Sequence, residues 1–295
     1  MPLHMKKLIL SMEEVGNRME IITSETNKDI KKIIGLLEKS KNRRKEDSYV
    51  VEGLKMVFEI PKEDIREVYI SKTCYENIAS GNVDKRIVDV KSFNKDGESE
   101  LGFSYKVISD ALFKKISDTV TPQGILAIVK RKHYKLNDIL NRKVKKDGLP
   151  DKQVIMILDD LRDPGNLGTI IRTCEAAGVS GIILSKESVD IYNPKVVRST
   201  MGAILRVPFY ESEDLKEDIK KIKQENFKLY AAHLGGKKLY NEVKKNGAYG
   251  FIIGNEANGI SDEVAALADE LVIIPMYGNV ESLNAAIAAS ILMFS

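Results

Sequence analysis

The 295-residue chain is poor in the side chains that most often bind transition metals, with two cysteines and three histidines. Cys74 and Cys174 stand far apart, and their spacing fits neither a zinc site nor a disulfide framework. We therefore expect no metal site. No apolar run approaches the roughly 20 residues that span a bilayer, so we expect no membrane segment. Together these shortages favour a globular protein of the cytoplasm.

Acidic residues are scarce relative to basic ones in the first half of the chain. Residues 1–150 carry 30 lysines and arginines against 23 aspartates and glutamates, whereas residues 151–295 carry 16 against 20. A basic surface attracts polyanions. The asymmetry therefore predicts that the first half meets a polyanion and that the second half has a different task.

Five cations form a dense run after a predicted helix in the first half. They are Lys39, Lys41, Arg43, Arg44 and Lys45. Phosphate contacts need clustered, long cationic side chains, so the run predicts binding to RNA or DNA. The alternative is a solubilising helix end, where the helix dipole itself favours lysine and arginine.

The most informative stretch covers residues 153–173. Residues 154–158 are an unbroken apolar run, which predicts a strand buried on both faces. Residues 159–165 are polar and contain Asp-Pro-Gly, which predicts a tight turn. Asn166 then stands where a helix N-cap belongs, because apolar residues follow at helical spacing. Open α/β sheets bind their ligands in loops that follow parallel strands in this way.

Two further predicted strands also end in polar loops with glycine, over residues 254–259 and 275–284. Three such loops at one sheet edge would form a pocket that suits a nucleoside-like ligand. The chain has neither GxxxxGK[ST] nor GxGxxG after a strand, so P-loop and Rossmann-type sites are not indicated. His233 follows another strand and is a candidate base, although histidines at strand ends more often have a structural role.

Alternating helices and short strands predict an α/β chain with two domains. We assign residues 1–20 to an N-terminal extension, 21–131 to a small α/β domain, 132–152 to a linker and 153–295 to a larger α/β domain. The linker assignment rests on the high charge of that segment and on its Gly-Leu-Pro sequence, with one helical turn expected near residues 136–140.

Three motifs in the second domain resemble those of the SpoU family, a group of S-adenosylmethionine-dependent RNA ribose 2′-O-methyltransferases in the SPOUT superfamily. They are Asn166-Leu-Gly-Thr-Ile-Ile-Arg172, Gly254-Asn-Glu256 with Gly259, and Ile274-Pro-Met276 followed by Ser282-Leu-Asn284. In the first domain, Glu52-Gly53 and Thr121-Pro-Gln-Gly124 resemble the family's substrate-binding domain. The resemblance therefore covers nearly all of the chain after about residue 20.

The resemblance implies a fold, a partner and a cofactor. It implies a C-terminal α/β SPOUT domain with a deep trefoil knot, preceded by a smaller α/β domain of ribosomal-protein-like fold. It also implies a homodimer whose active site lies near the subunit interface. The cofactor S-adenosyl-L-methionine is expected to lie against five residues, which are Ala232, Gly254, Ile274, Met276 and Leu283.

Five polar residues match the family's catalytic set, namely Asn166, Arg172, Glu256, Ser282 and Asn284. The reaction is an in-line attack of a ribose 2′-hydroxyl on a sulfonium methyl group, aided by alignment and by removal of the hydroxyl proton. Arg172 is the family's proposed base. Because a free guanidinium holds its proton far above neutral pH, Arg172 either has altered surroundings or orients the adjacent phosphate, and the sequence leaves both open.

Two other functions compete with this interpretation. A catalytically idle RNA-binding protein could keep the same fold, but all five residues of the catalytic set are present here. A tRNA methyltransferase of the family mostly relies on terminal extensions around a lone knotted domain. Because this chain has a separate first domain, we expect ribosomal RNA, and 23S ribosomal RNA in particular, to be its substrate.

Overall fold

The computed structural model describes residues 21–80, 82, 104–148, 151–243 and 245–295. The chain divides into two units, Met1–Arg131 and Lys132–Ser295. The predicted extension over residues 1–20, and a strand that the sequence predicts over residues 87–90, lie outside the described residues. Within the described ranges, no helix combines the length and the apolar character needed to cross a membrane.

A five-stranded mixed sheet forms the centre of the first unit. Its strands are β1 (Ile21–Ile22), β2 (Ser48–Glu52), β3 (Ile65–Ser71), β4 (Tyr105–Ile108) and β5 (Ile125–Lys130). Its helices are α1 (Lys28–Glu38), α2 (Ser40–Lys45), α3 (Leu54–Phe58), α4 (Lys72–Ala79) and α5 (Asp110–Ile116), with a 3₁₀ turn at Lys62–Asp64. In space the strands follow the order β1-β4-β3-β5-β2, and β5 runs antiparallel to both of its neighbours.

Helix α1 begins at a side-chain cap and packs through one apolar face. The side chain of Asn27 accepts a hydrogen bond from the backbone N–H of Asp29 at 2.8 Å, which satisfies a donor that the first turn leaves free. Ile30, Ile33 and Leu36 recur at helical spacing and are buried among side chains of the sheet. The helical spacing of the apolar residues therefore predicts both the helix and the face that it buries.

Arg43 is buried, which corrects its assignment to the RNA-binding surface. Only 3% of its surface is exposed. Its guanidinium donates hydrogen bonds to the carbonyl oxygens of Leu36 at 2.7 Å and of Leu37 at 3.2 Å. Because the last carbonyls of a helix have no partner within it, Arg43 caps the C-terminal end of α1 and is unavailable to a phosphate. The other cations of the run are exposed, namely Lys39, Lys41, Arg44 and Lys45.

The second unit has a seven-stranded parallel sheet. Its strands are β6 (Val154–Leu158), β7 (Gly181–Ser185), β8 (Phe209–Ser212), β9 (Lys228–Ala232), β10 (Lys238–Leu239), β11 (Tyr249–Ile253) and β12 (Glu270–Ile273). Its helices are α6 (Leu136–Leu140), α7 (Pro164–Ala177), α8 (Pro194–Ser199), α9 (Leu215–Gln224), α10 (Asp262–Ala265) and α11 (Ala285–Phe294), with 3₁₀ turns at Ala203–Leu205 and Tyr240–Glu242. The spatial order is β10-β12-β9-β11-β6-β7-β8, and all neighbours are parallel.

Strand β6 has the bounds that its apolar run predicts, and all five of its residues are buried. It pairs with β11, whose five residues are also buried, and with β7. One face of the sheet packs against buried side chains of α6, α9 and α10 in a single hydrophobic cluster. Burial on both faces explains why these strands are continuously apolar rather than alternating.

Residues 132–152, which the sequence analysis assigns to a linker, lie in the second unit. Leu136, Ile139 and Leu140 of α6 are buried in the hydrophobic cluster beneath the sheet. The side-chain amide of Gln153 donates a hydrogen bond to the carbonyl oxygen of Leu140 at 2.6 Å. The high charge of the segment belongs to its exposed positions and conceals the three apolar residues that attach it to the core.

Helix α7 begins earlier than the sequence predicts. Asp163, rather than Asn166, is the N-cap, and its carboxylate accepts a hydrogen bond from the backbone N–H of Asn166 at 2.7 Å. Pro164 occupies the first helical position, where its fixed φ suits the helix and no N–H is needed. Aspartate and asparagine are equally good caps, so the residue types alone do not decide between them. Asn166 lies in the first turn, and its side chain reaches outside the helix.

Replacing Arg43 by alanine should lower the free energy of unfolding by about 1.5–3 kcal/mol, because hydrogen bonds from a charged donor to helix-end carbonyls are lost. Urea unfolding followed by circular dichroism measures the change. Arg44→Ala is the matched control, since Arg44 is exposed in the same helix and its removal should change that free energy by less than about 0.5 kcal/mol. Equal effects of the two substitutions would contradict the capping role.

Candidate functional site

Four loops of the second unit leave the carboxyl ends of strands that are adjacent in the sheet. These strands are β12, β9, β11 and β6. Because the strands are parallel, their loops meet at one edge, which is where open α/β sheets bind ligands. The loops after β9, β11 and β12 enclose a cleft of about 400 Å³. Pockets of this size accept a small organic ligand such as a nucleoside derivative.

All five residues that the sequence analysis assigns to cofactor binding line this cleft. They are Ala232 at the end of β9, Gly254 after β11, and Ile274, Met276 and Leu283 after β12. Gly254 is buried and the other four are half-buried. They contribute aliphatic surface and backbone polar groups but no charge, which is the lining that an aromatic heterocycle prefers.

Gly254 stands where the chain leaves β11 and folds back on itself. Asn255 and Gly259 exchange two backbone hydrogen bonds, each 2.9 Å long, and so close the loop between them. A Cβ atom on Gly254 would lie 2.1 Å from the carbonyl carbon of Gly259 and 2.2 Å from the backbone nitrogen of Ile260. The close approach of two backbone segments therefore requires glycine at this position.

Three residues of the predicted catalytic set form one hydrogen-bonded cluster. The side-chain amide of Asn166 donates to the carboxylate of Glu256 at 2.9 Å, and its carbonyl oxygen accepts from the amide of Asn284 at 2.9 Å. The carbonyl oxygen of Asn284 also accepts from the backbone N–H groups of Ala286 and Ile287, and thus caps α11. The cluster joins the loops after β6, β11 and β12 beside the cleft, which Glu256 itself lines.

The carboxylate of Glu256 is held in its ionised form. It accepts hydrogen bonds from the backbone N–H groups of Arg162 at 3.2 Å and Asp163 at 3.1 Å, in addition to the one from Asn166. Desolvation raises the pKa of Glu256, but the hydrogen bonds, first that from Asn166, outweigh it and the net pKa is lowered. At neutral pH Glu256 is therefore an acceptor that fixes Asn166, not a proton donor.

Two residues that the sequence analysis did not single out complete this scaffold. The side-chain amide of Asn255 donates to the backbone carbonyl of Asp160 at 2.8 Å. The carboxylate of Asp159 accepts from the backbone N–H of Ser261 at 3.0 Å and from its hydroxyl at 2.8 Å. Both contacts tie the loop after β6 to the loop after β11. The sequence feature that could have identified both residues is their position at or near the end of a predicted buried strand, because a polar side chain there can reach a neighbouring loop.

Ser282 and Arg172, the other two residues of the predicted catalytic set, lie outside this cluster. Ser282 lines the cleft and is exposed. Arg172 is exposed on α7 and is not part of the cleft wall. The neighbouring hydroxyl of Thr173 lies 3.5 Å from that of Ser290 on α11, so Arg172 is near the line where α7 and α11 pack. Within one chain, the fold does not bring Arg172 to the cleft.

The contacts of His233 favour a structural role over that of a base. His233 lines the cleft, and its Nδ1 accepts a hydrogen bond from the backbone N–H of Gly235 at 3.0 Å. Both cysteines are buried. Burial raises the pKa of the Cys74 thiol to about 11 and also raises the pKa of the Cys174 thiol, so neither is a reactive thiolate. In the part of the chain that the structure describes, no group of histidine, cysteine and acidic side chains is suited to hold a metal ion.

Comparison with known protein families gives a match in each unit. Residues 153–294 match the SpoU rRNA Methylase family, and residues 27–127 match the MRM3-like substrate binding domain. The first range covers the cleft and the hydrogen-bonded cluster. The second lies in the unit that carries the exposed basic residues.

Individual proteins are similar over most of the chain. The 23S rRNA (guanosine(2553)-2'-O)-methyltransferase RlmP of Bacillus subtilis is 29% identical over 277 residues, which are 94% of this chain and 98% of that protein. A Staphylococcus aureus protein named for the TrmH family of tRNA/rRNA methyltransferases is 33% identical over 173 residues, 58% of this chain and 68% of its own length. The crystal structure of an AdoMet-bound rRNA methyltransferase from Sinorhizobium meliloti aligns with a TM-score of 0.74 and 29% identity, over 94% of this chain and 96% of that one. The predicted α/β fold is thereby confirmed.

Replacing Gly254 by alanine should lower the free energy of unfolding by about 1–3 kcal/mol or more, because the added Cβ would clash with backbone atoms that cannot move aside. Gly278→Ala is the matched control in a loop beside the same cleft, since nothing lies within 4 Å of a Cβ added there. Urea unfolding measures both variants. If Gly254→Ala were as stable as the parent, the backbone crossing would not be the constraint described here.

Proposed function

Because the chain belongs to the SpoU (TrmH) family of RNA methyltransferases, we propose that it methylates a ribose 2′-hydroxyl of RNA with S-adenosylmethionine as the methyl donor. The observation that carries this proposal is the position of a nucleoside-sized cleft beside the hydrogen-bonded cluster of Glu256, Asn166 and Asn284. The cleft suits the donor, and the cluster supplies fixed polar groups next to it.

The residues of the cleft fit S-adenosylmethionine. Ile274, Met276 and Leu283 offer aliphatic surface for the adenine ring. Gly254 leaves the backbone uncovered by a side chain, so its polar groups are within reach of the adenine edge, and Ala232 completes the wall at the end of β9. When bound, the donor supplies an electrophilic methyl group on a sulfonium sulfur.

The polar residues position the target ribose. Glu256 is ionised and fixes the amide of Asn166, while Asn284 is fixed twice, by capping α11 and by its hydrogen bond to Asn166. With the cluster held in one geometry, its remaining hydrogen-bonding groups and the hydroxyl of Ser282 can orient the incoming ribose. Alignment of the 2′-hydroxyl with the methyl group supplies much of the rate in such a transfer.

A homodimer accounts for the position of Arg172 outside the cleft of its own chain. Ile287, Ile291 and Phe294 recur at helical spacing on α11 and form an apolar stripe, of which Ile287 and Phe294 are exposed. An exposed apolar stripe on a helix is typical of a subunit interface. A two-fold contact through this stripe would bring Arg172, on the adjacent α7, to the interface between subunits.

Arg172 has two roles open to it in this mechanism. It acts as the base if the assembled site weakens its hold on its proton, or it orients the phosphate next to the target ribose. Its exposure in the single chain favours the orienting role, because a solvent-accessible guanidinium can bind phosphate in a planar, two-pronged geometry.

The exposed cations of the first unit bind phosphates of the RNA. Lys39, Lys41, Arg44 and Lys45 lie within a few residues of one another and are exposed. Contacts of this kind neutralise phosphates without reading sequence, so they supply affinity that falls as the salt concentration rises.

Ribosomal RNA is the substrate that the similarities favour. RlmP, which aligns with nearly the whole chain, is by name a 23S rRNA ribose methyltransferase, whereas the Staphylococcus aureus relative is named for both tRNA and rRNA. Since both units of this chain take part in the alignment with RlmP, 23S rRNA is the substrate we propose, with the cytoplasm as its compartment. The deep trefoil knot that the family implies belongs to the same proposal for the second unit.

The proposal is tested by methyl transfer from labelled S-adenosylmethionine to total RNA from cells that lack this gene, followed by separation of the RNA by size. Label in the large ribosomal RNA is the expected result. Label in tRNA alone would overturn the choice of substrate but not the chemistry. No label, together with no binding of the donor in calorimetry, would replace the enzyme by an idle RNA-binding protein.

Replacing Arg172 by alanine should abolish methyl transfer while the affinity for the donor stays within a few-fold, because Arg172 is not part of the cleft wall. Transfer assays and calorimetry measure the two quantities. Arg172→Lys separates the two roles, since a lysine keeps the charge for a phosphate and should retain part of the activity. Thr169→Ala, an exposed position on the same helix, serves as the control. Full activity of Arg172→Ala would remove this residue from the mechanism.

Replacing Ile287 by aspartate should convert the dimer into a monomer, because a charge in the apolar stripe of α11 would be buried without a partner. Sedimentation equilibrium should give twice the chain mass for the parent and the single mass for the variant. Val120→Asp, at an exposed apolar position of the first unit, is the control and should remain dimeric. A monomeric parent would contradict the proposed assembly.

A further inference from the structure

The two loops that border the cleft after β9 and β12 carry three exposed apolar side chains. Leu234 is 64% exposed, Val280 is 63% exposed and Tyr277 is fully exposed. Leu234 itself lines the cleft. Exposed apolar side chains on loops that border a ligand site are candidates for contact with a partner, whereas exposed apolar residues scattered elsewhere are ordinary.

Tyr277 is the most unusual of the three. Its neighbour Met276 lines the cleft, and Glu281 and Ser282 of the same loop line it as well. The ring of Tyr277 is completely solvated, and a Cβ added at the next residue, Gly278, would meet nothing within 4 Å. The loop therefore places a fully exposed aromatic ring next to a residue that lines the cleft.

We propose that Tyr277 is a stacking platform for a base of the substrate RNA next to the nucleotide whose ribose is methylated. This inference rests on the proposed function. A 2′-hydroxyl can approach the cleft only if its nucleotide is accessible, and proteins read accessible RNA by stacking unpaired bases on exposed aromatic rings. Such stacking tolerates any base, so Tyr277 would position the strand without selecting its sequence.

A second copy of the chain is the competing occupant of this surface. The apolar stripe of α11, with Ile287 and Phe294 as its most exposed members, already offers a continuous helical face for that contact. Tyr277 instead lies on an irregular loop from which Met276, Glu281 and Ser282 line the cleft. Its position relative to the reacting groups therefore favours RNA.

The absence of tryptophan from the chain makes a direct test possible. Tyr277→Trp introduces a single tryptophan whose emission reports on its own surroundings. The probe is a single-stranded oligonucleotide that spans the ribose labelled by the parent enzyme. We expect this RNA to quench the emission of Tyr277→Trp and a fully paired duplex of the same sequence to leave it unchanged. Phe294→Trp is the control and should not respond to either RNA.

Binding and kinetics of two further variants test the same platform. Tyr277→Ala should weaken RNA binding, and raise the KM for RNA, by between about fivefold and a hundredfold, which is the range of one lost base–aromatic stack. Its affinity for S-adenosylmethionine should not change. Tyr277→Phe should restore RNA binding, because the ring and not the hydroxyl makes the stack.

Each outcome separates this inference from the function on which it rests. One outcome is that the parent methylates RNA while RNA leaves the emission of Tyr277→Trp unchanged and Tyr277→Ala binds RNA as tightly as the parent does. In that case the stacking platform is wrong and the proposed methyltransferase function is retained. If that emission follows protein concentration and not RNA, Tyr277 belongs to a contact between copies of the chain. If the parent methylates no RNA, the proposed function fails and this inference fails with it.

Discussion

The carboxylate of Glu256 is the contact on which the site depends. It accepts two backbone hydrogen bonds from the loop after β6 and a third from Asn166, so it joins the ends of two neighbouring strands. A carboxylate supplied with several donors keeps its charge, and a charge that is satisfied in this way holds its donors in one arrangement. The side chain of Asn166, and through it that of Asn284, takes its orientation from this anion.

The cleft itself depends on backbone geometry more than on side-chain chemistry. The chain after β11 returns so closely that Gly254 touches the backbone of residues 259–260, and this crossing forms one wall. The other walls come from the ends of β9 and β12. Aliphatic side chains and backbone groups of this lining can hold a heterocycle, while Glu256 belongs to the lining and also to the hydrogen-bonded cluster.

The sequence predicted those features that depend on local pattern. The apolar run of β6 predicted that strand with both of its ends, and the motifs contain several of the residues that line the cleft. Features that the residue types alone leave undecided were missed. The burial of Arg43 depends on the carbonyls at the end of α1, and the start of α7 on a choice between two equally good caps. Nothing in the residues around Arg172 shows that it stays outside the cleft of its own chain.

The hydrogen-bonded cluster also has a consequence for the order in which the chain folds during synthesis. Asn166 and Glu256 are 90 positions apart, and Asn166 and Asn284 are 118 apart. Contacts of such long range form late, because the intervening chain must first be made and brought together. During synthesis the first unit is complete before most of the second has left the ribosome. A nascent chain can therefore have its basic surface exposed to RNA while the groups that join the loops around the cleft do not yet exist.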